Sequence, residues 1–592
     1  MKVFMIHSFR SSWFILPLFV LCMTGCAKKN IKISSLEQIK STQEKITDTS
    51  GKDRVLEIIT TIEHNVVPAQ SQPVQYAHVQ NIQQDLSLEN IAAYFDCKTV
   101  MGKSFLTQTL NHPVCAVDES GIVAHRKKAI EQLVNNPELK KQVDEILQLA
   151  AQQEQLIIQL MSDFFIGKTC PELQNLALLK NQNPYVYPFA EFCTTNKSMQ
   201  TAKTVLQMLS LFGCTAGTIG FGITAANAAH MGAEYGQLAC LSGYFGILTG
   251  LYGYIIYDDF TKAGEKRSKI HALNQLIHVA EQIERLCDTY QIDNQFKMSL
   301  IQDAQGARLV KELKHCRYTQ KKNYCFSTPA VHTLLYKVYK NDKHLAQMFA
   351  SIAEMDAYHA IATKMLASQD SRNRFCFAEC IESEKPLVSS TGFWNVLIPH
   401  AVPNTLLQYR NIILTGPNAG GKTSLIKAIL QNIVLAQTYG VAAAEKFEFT
   451  QFDVILSYLT ISDDLIHGQS LFQSEINRAQ ELLQTIKALQ PHQKLFFALD
   501  ELFTGTASQG GERTAYKFID KVASFDRVLS IYATHFDALK DLGAAHSSLM
   551  NYKVNAPVKN EKNKFVYPYT VSAGHNDICI AVDMAEQAGL FD

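Results

Sequence analysis

The residues with the clearest potential for chemistry form a glycine-rich segment in the C-terminal third of the chain, Gly416–Ser424. The segment has the G-x-x-x-x-G-K-T spacing of a loop whose backbone N–H groups surround phosphate oxygens. The apolar run Ile412–Leu414 precedes it and the helix-forming stretch Leu425–Ala436 follows it, which is the strand–loop–helix order that a phosphate loop requires. The spacing predicts a nucleotide site, and the alternative is an ordinary glycine-rich turn. The predicted nucleotide ligands are Gly416, Pro417, Asn418, Ala419, Gly420, Gly421, Lys422, Thr423 and Ser424.

Acidic side chains follow a second apolar run, Leu495–Leu499, which ends in Asp500 and Glu501, 78 residues after Lys422. At a strand end near bound phosphate, an aspartate helps to bind Mg²⁺ together with the loop hydroxyl, here that of Thr423. The glutamate that follows can orient or deprotonate the attacking water. Thus Lys422 and Glu501 are predicted catalytic residues, and Thr423 and Asp500 are predicted Mg²⁺ ligands.

A histidine closes another predicted strand, in Ala533-Thr534-His535. At a strand end beside the terminal phosphate, an imidazole can sense or position that phosphate. We therefore add His535 to the predicted catalytic residues, and the alternative is a surface histidine.

Bulk composition limits the possible partners. The 592 residues suggest three or four domains, and 47% hydrophobic residues allow a substantial core. Lys and Arg number 55, as do Asp and Glu, so the chain lacks the basic excess of a dedicated DNA binder, although a local basic face is compatible with that sum. The 14 cysteines include no C-x-x-C pair, which favours buried thiols in a reducing compartment over zinc ligands or disulfides.

The N-terminal residues 1–29 have the pattern of a targeting segment. Lys2 and Arg10 precede an apolar run, Trp13–Met23, which is too short for a full membrane span. Thr24-Gly25-Cys26 follows and resembles a lipoprotein cleavage site, so a cleaved signal and an uncleaved anchor both remain open. Residues 30–85 are polar and weakly patterned, and we interpret them as a linker.

The middle of the chain combines helical periodicity with an apolar interruption. Residues 86–203 and 258–389 have the periodicity of a helical core in two parts, separated by residues 204–257. That interruption carries a single charged residue between Thr204 and Tyr257, Glu234, and holds 10 of the chain's 29 glycines. It predicts a transmembrane helical hairpin whose basic flanks place both ends in the cytoplasm. The alternative is a buried, glycine-rich pair of helices in a soluble protein.

Residues 390–592 alternate short β runs with helices, which predicts a parallel or mixed sheet covered by helices. The expected fold class is therefore multidomain: an α-helical core interrupted by a transmembrane hairpin, then an α/β P-loop domain of ABC type. The predicted strands are Asn411–Leu414, Asp453–Ser457, Leu495–Leu499, Val528–Ala533 and Phe565–Val571.

Four motifs in this region together resemble the ATPase domain of the MutS family, an ABC-type branch known for DNA mismatch recognition. They are the loop Gly416–Ser424, the segment Asp463–Glu475 with its Asp-Asp and Gly-x-Ser pattern, Asp500–Thr506 and Ala533–Phe536. The likeness extends more weakly over 86–203 and 258–389. It implies ATP and Mg²⁺ as ligands, and it implies that Ser470 reaches the nucleotide of a second subunit, so that the protein is a homodimer.

The resemblance leaves two functions open. The first is a membrane-attached, dimeric MutS-like ATPase that binds DNA and is related to mismatch repair. The second is a membrane-bound mechanical ATPase that acts on a membrane protein partner and has lost DNA recognition, because the family's N-terminal mismatch-reading domain has no counterpart here and the hairpin stands where its DNA clamp would be. Since ATP is cytosolic, both place the ATPase domain on the cytoplasmic side of the inner membrane, which favours an anchor over a cleaved lipoprotein signal.

Overall fold

The chain up to residue 367 is mainly helical, as the spacing of its apolar residues predicts. A computed structural model describes residues 72–73, 75–76, 79–115, 121–166, 215–216, 218–219, 223, 236–292, 304–314, 334–335, 337–338, 342–417, 420–459, 471–559, 561 and 565–576. The predicted targeting segment, residues 1–29, lies outside these ranges. Up to residue 367 the described elements are β1 (Gln72–Pro73), β2 (Gln75–Tyr76), α1 (Val79–Leu86), α2 (Leu88–Phe95), α3 (Val100–Asn111), β3 (Val114–Cys115), α4 (Ile122–Asn135), α5 (Pro137–Ile166), α6 (Gly236–Tyr290), α7 (Ala304–Lys314) and α8 (Asp342–Ala367).

The helical core is built from long helices that bury one apolar face each. Helix α5 packs along α6, and α8 packs against α3 and α4. Their inward residues, such as Ile130, Leu147, Ile277 and Met355, are fully buried. Burial of a side chain of this size stabilises the fold by about 1.5–3 kcal/mol, which is why the helical spacing of apolar residues predicts these contacts.

Two buried carboxylates hold the beginning of α3. Asp356 of α8 accepts hydrogen bonds from the backbone N–H of Lys98 (3.1 Å) and Thr99 (2.8 Å), and Glu154 of α5 accepts from Val100 N–H (2.7 Å). These acceptors satisfy N–H groups that the helix itself leaves free. A Cβ atom on Gly102 would lie 2.2 Å from Asp356 Oδ2, so only glycine allows α8 to approach this closely.

The buried His359 of α8 makes stability dependent on pH. Burial lowers the pKa of this imidazole to about 4 from its ordinary value of 6.5, and the positive charge of Lys140 acts in the same direction. Between these two values the unfolded chain binds a proton that the folded chain does not bind, so stability falls as the pH decreases. At pH 5 the loss from this group is roughly 2 kcal/mol relative to pH 7.5.

Urea unfolding at pH 7.5 and pH 5.0, followed by circular dichroism, checks this prediction. The wild type is expected to lose more stability at pH 5.0 than His359→Gln, because glutamine does not titrate. Other groups, such as Asp356 and Glu154, titrate in both variants. Equal losses in the two proteins would contradict the assignment to His359.

The predicted transmembrane hairpin is wrong. Among the described residues, none of the helices combines the length and the apolar character that a bilayer crossing needs. The hairpin prediction comprises two spans, residues 204–233 and 235–257. Residues 236–257 of the second span are part of α6, a continuous helix of 55 residues that runs on into the helical core, where Leu273 and Ile277 are buried. Most of the first predicted span lies outside the described residues. The predicted membrane localisation is overturned by the same finding.

One glycine of this region lies at a helix contact. A Cβ atom on Gly246 of α6 would lie 3.7 Å from the methyl group of Thr218, an ordinary van der Waals distance, and the hydroxyls of Thr218 and Thr249 are 3.3 Å apart. A Cβ atom on Gly250 would have no neighbouring atom within 4 Å. The alternative prediction of a buried pair of helices is not supported by the described residues either, because Ile219 and Ile247 are 58% and 74% exposed.

After residue 367 short strands alternate with helices. The elements are β4 (Cys376–Phe377), β5 (Glu379–Cys380), β6 (Val388–Phe393), β7 (Asn404–Gln408), β8 (Asn411–Thr415), α9 (Lys422–Tyr439), β9 (Val441–Ala442), β10 (Lys446–Phe449), β11 (Val454–Tyr458), α10 (Leu471–Ala488), β12 (Leu495–Asp500), α11 (Ser508–Ala523), β13 (Val528–Ala533), α12 (Asp537–Ala545), β14 (Leu549–Val554), β15 (Val558–Lys559), β16 (Phe565–Val566) and β17 (Val571–Ala573).

A seven-stranded sheet in the order β17-β14-β8-β13-β12-β11-β2 positions the predicted site. All neighbouring pairs are parallel except β14 and β17. Every residue of β8, β11 and β13 is buried, as expected of parallel strands that are covered on both faces. Because β8, β12 and β13 are parallel neighbours, their carboxyl ends lie side by side at one edge of the sheet.

The N-terminal segment completes this sheet. Strand β2 pairs with β11 at its edge, and Asp85 of α1 accepts hydrogen bonds from the Ser457 hydroxyl and from Leu459 N–H (3.1 Å). Composition alone indicated a linker over 30–85, because strand pairing of two residues leaves no periodic signal. The structure instead places β2 and α1 against the α/β region, while β1 pairs with β3.

Candidate functional site

The glycine-rich loop leaves β8 at Thr415 and enters α9 at Lys422. Gly416 and Gly421 have φ angles of 156° and 95°, a region that favours glycine. A Cβ atom on Gly416 would lie 2.9 Å from Val554 Cβ, so β14 packs closely against the loop. Two other predicted ligands, Asn418 and Ala419, lie outside the described residues.

Lys422 occupies the centre of the site. Its side chain is 6% exposed, and its Nζ donates hydrogen bonds to the carbonyl oxygens of Gly416 (3.0 Å) and Pro417 (3.5 Å). Burial lowers the pKa of this ammonium group, while the nearby carboxylates of Glu501 and Asp500 act in the opposite direction. Two carbonyls and the nearby carboxylates thus hold a buried cation beside the loop, where it can also bind an anion such as phosphate.

The predicted Mg²⁺ ligands are in contact. The Thr423 hydroxyl donates to Asp500 Oδ2 at 2.5 Å. Burial raises the pKa of the Asp500 carboxyl, and the hydrogen bond from Thr423 opposes that rise. A hydroxyl and a carboxylate are oxygen donors of the kind that Mg²⁺ prefers beside phosphates, so the pair fits this ion.

Glu501 follows directly after β12 and has a strained backbone. Its φ is 54°, a left-handed conformation that costs about 1–2 kcal/mol in a residue with a side chain. Its Oε1 lies 2.8 Å from His535 Nε2 and 3.9 Å from Lys422 Nζ. The hydrogen bond from His535 lowers the pKa of Glu501 and outweighs the effect of burial. The carboxylate is therefore ionised and half-exposed, as a general base requires.

His535 connects Glu501 to Lys422. Its Nε2 is also 3.0 Å from Lys422 Nζ, so one ring nitrogen faces both a carboxylate and an ammonium group. A protonated Nε2 donates to Glu501, whereas an unprotonated Nε2 accepts from Lys422. The histidine can thus pair with either partner in turn, and its tautomer selects which one.

A cavity of about 780 Å³ opens beside the loop, within the size range of small-molecule sites. The Asn395 amide donates to the Ser424 carbonyl (3.1 Å) and ties the cavity wall to α9. The cavity is also lined by residues that sequence reasoning did not select as ligands: Trp394, Ile398, His400, Ala401, Val402, Tyr569 and Val571.

Long-range contacts explain why those residues were missed. Asn404 of β7 donates to Tyr569 O (3.0 Å) and accepts from Val571 N–H (2.9 Å), which brings the C-terminal strands to the cavity. These partners are more than 160 residues apart in sequence. No local spacing pattern marks such a pair.

Ser470, like Asn418 and Ala419, is a predicted ligand that these contacts do not test. Ser470 lies outside the described residues, and α10 begins at the next residue, Leu471. Five of the other predicted site residues come together at one sheet edge: Lys422, Thr423, Asp500, Glu501 and His535.

The loop, the buried lysine and the strand-end carboxylates have the arrangement that is typical of α/β domains with a phosphate loop. Residues 412–592 match the family model described as MutS domain V. The C-terminal third of the chain is therefore similar to the MutS family.

Curated relatives agree with this assignment. The DNA mismatch repair protein MutS of Streptococcus mutans is 31% identical over 192 residues, which are 32% of this chain and 22% of that protein. That of Streptococcus equi subsp. equi is 30% identical over 196 residues, which are 33% of this chain and 22% of that protein. That of Streptococcus agalactiae is 29% identical over 178 residues, which are 30% of this chain and 20% of that protein. The chain thus matches about a fifth of the length of these relatives. The likeness before residue 390 stays a prediction.

Proposed function

We propose that the chain binds ATP with Mg²⁺ at Gly416–Ser424 and hydrolyses it. The observation that carries this proposal is the convergence of a buried lysine, a hydroxyl–carboxylate pair and an ionised glutamate within one sheet edge, in a domain of a family whose relatives repair DNA mismatches. Each of these groups has a separate task in phosphoryl transfer.

The loop and Lys422 bind the phosphates. Backbone N–H groups at the beginning of α9 point toward the loop and carry the positive end of the helix dipole. The ammonium group of Lys422 exchanges its neutral carbonyl partners for phosphate oxygens, which form stronger, charge-assisted hydrogen bonds. Thr423 and Asp500 hold Mg²⁺, which neutralises charge on the phosphates when it is bound.

Glu501 and His535 act on the attacking water. The ionised carboxylate of Glu501 orients the water and accepts its proton. Because His535 Nε2 faces both Glu501 and Lys422, His535 keeps the carboxylate in place before reaction and can turn toward the charge that develops on the phosphate. The cavity beyond Ser424, lined by Trp394 and Tyr569, accommodates the nucleoside.

Helix α9 links this site to the helical core. It starts at Lys422, and 15 of its 18 residues are buried. At its other end the Tyr439 hydroxyl pairs with that of Thr109, and Arg126 donates to Thr438 O (3.1 Å). A shift of α9 on nucleotide binding would therefore be transmitted to α3 and α4, since packed interfaces do not deform continuously.

The finer proposals concern assembly and DNA. We place Ser470 of one copy at the nucleotide of a second copy, which makes the active form a homodimer with composite sites. The likeness to DNA mismatch repair proteins supports DNA as the substrate that the ATP cycle acts on.

ATP turnover by the full-length chain, with and without DNA, tests these proposals. We expect magnesium-dependent hydrolysis that duplex, mismatched or branched DNA stimulates. The chain has two tryptophans, so in a Trp13→Phe background the fluorescence of Trp394 in the cavity wall reports nucleotide binding directly. Absence of both ATP turnover and a saturable fluorescence change would contradict the ATP proposal. ATP turnover that none of the three DNAs stimulates would contradict the DNA proposal.

A further inference from the structure

A buried glutamate outside the phosphate loop contacts the segment that carries Glu501. Glu475 lies in α10 and is 1% exposed. Its Oε1 accepts a hydrogen bond from Thr504 N–H (3.0 Å), and its Oε2 accepts one from Gly505 N–H (3.2 Å). Removing a carboxylate from water costs free energy, and hydrogen bonds from donors such as these N–H groups compensate for that cost. One side chain thus anchors two consecutive backbone amides.

Those amides belong to a loop with an unusual backbone, Glu501–Ala507, which joins β12 to α11. Glu501 and Phe503 both have positive φ angles, 54° and 65°. Residues with side chains keep such conformations only where surrounding contacts impose them. Phe503 is buried between the rings of Phe472 (6.2 Å) and Phe518 (6.0 Å), so it holds the loop from the apolar side.

Gly505 brings the loop against α10. A Cβ atom there would lie 2.8 Å from Phe472 N and 3.1 Å from Glu475 Oε2. The Thr504 hydroxyl in turn donates to Glu501 O at 3.2 Å, which ties the anchored amides back to the strained residue. The chain of contacts from Glu475 to the backbone of Glu501 is therefore continuous.

We propose that Glu475 is a positioning residue for ATP hydrolysis, which holds Glu501 in its left-handed conformation through the amides of Thr504 and Gly505. The inference rests on the proposed ATPase function. Without these two hydrogen bonds the loop would relax, and the Glu501 carboxylate would leave its place 2.8 Å from His535 Nε2. Nucleotide binding does not depend on this arrangement, since the phosphate loop and Lys422 lie on a different segment.

The Glu475→Gln variant tests the proposal with little change in shape. Glutamine has one acceptor oxygen, so its NH₂ group would face a backbone N–H and leave that donor unpaired. We expect kcat to fall about 10- to 100-fold, part of the ~10²–10⁴-fold that a positioned base contributes, while ATP affinity from Trp394 fluorescence stays unchanged. Glu481→Gln is the matched control, because it makes the same chemical change at an exposed position of the same helix and should leave kcat unchanged.

A double-mutant cycle separates positioning from general damage. If Glu475 acts through Glu501, then Glu475→Gln should lower kcat little further in a Glu501→Gln background. Hydrogen exchange should rise at residues 501–507 in Glu475→Gln and not in the control. If Glu475→Gln does not fold, Gly505→Ala provides the test, because its Cβ displaces the same amides from Glu475.

The outcomes are distinct. Wild-type kcat in Glu475→Gln, or additive losses in the cycle, would overturn the inference. Equal losses of ATP affinity and kcat would also overturn it, because they indicate a structural role. A wild type with no turnover would instead contradict the proposed function and with it the catalytic role of Glu475, while hydrogen exchange would still show whether the glutamate anchors the loop.

Discussion

The Glu501→Gln variant is expected to bind ATP as well as the wild type does and to hydrolyse it about 10²–10⁴ times more slowly. Glutamine keeps the shape and can still hydrogen-bond to His535, but it cannot accept a proton from water. The site around Lys422 remains intact, so ATP stays bound. Single-turnover hydrolysis and the fluorescence of Trp394 measure the two properties separately.

The same variant tests the composite site. If two copies close over ATP, the slow variant should accumulate as a dimer when ATP is added, which size-exclusion chromatography with light scattering detects. Glu481→Gln serves again as the matched control and should hydrolyse ATP normally. A Glu501→Gln protein that remains monomeric with bound ATP would contradict the dimer, and one that hydrolyses ATP at the wild-type rate would contradict the role of Glu501.

Replacing Lys422 with alanine is expected to remove nucleotide binding and turnover together. The ammonium group is the buried cation of the phosphate loop, and hydrogen bonds to charged groups contribute about 1.5–3 kcal/mol each. Loss of one such bond weakens ATP binding about 10- to 100-fold, and loss of two weakens it about 10²- to 10⁴-fold. Titration of Trp394 fluorescence with ATP checks the affinity directly.

Lys427→Ala is the control for this change. Lys427 lies on the same helix, α9, and is more exposed than Lys422, so the variant removes a lysine without touching the loop. It should bind ATP normally. If both variants lost affinity equally, the effect would belong to the stability of α9 rather than to a phosphate contact. Wild-type affinity in Lys422→Ala would contradict the site altogether.

The α/β region was largely predictable because its signals are local. Four predicted strands lie within one residue of β8, β11, β12 and β13, since continuous apolar runs form buried parallel strands. Strand β14 was missed, because its middle residues are only partly buried and include Asn551 and Lys553. The predicted strand Phe565–Val571 is split into β16 and β17 for a similar reason: both are short edge elements with little buried surface.

The hairpin prediction failed on a physical ambiguity. A charge-free, glycine-rich stretch satisfies the requirements both of a membrane span and of helices packed closely against each other. Hydropathy alone does not distinguish these two structures, because it does not show whether an apolar helix ends at the last apolar residue or continues into a polar, packed helix. Helix α6 continues through residue 257 to Tyr290, and its later part is buried in the helical core.

By itself, the sequence identified the phosphate-loop spacing of Gly416–Ser424, the Asp500–Glu501 pair and the likeness of the C-terminal third to MutS, because each depends on neighbouring residues at short, characteristic spacing. Only the tertiary structure decided which residues meet at the site. Lys422 and His535 are 113 residues apart in sequence and 3.0 Å apart in space, since β8 and β13 are adjacent strands. Glu475 reaches Thr504 in the same way, through the packing of α10 on the loop after β12, and this contact sets the backbone of the proposed catalytic base.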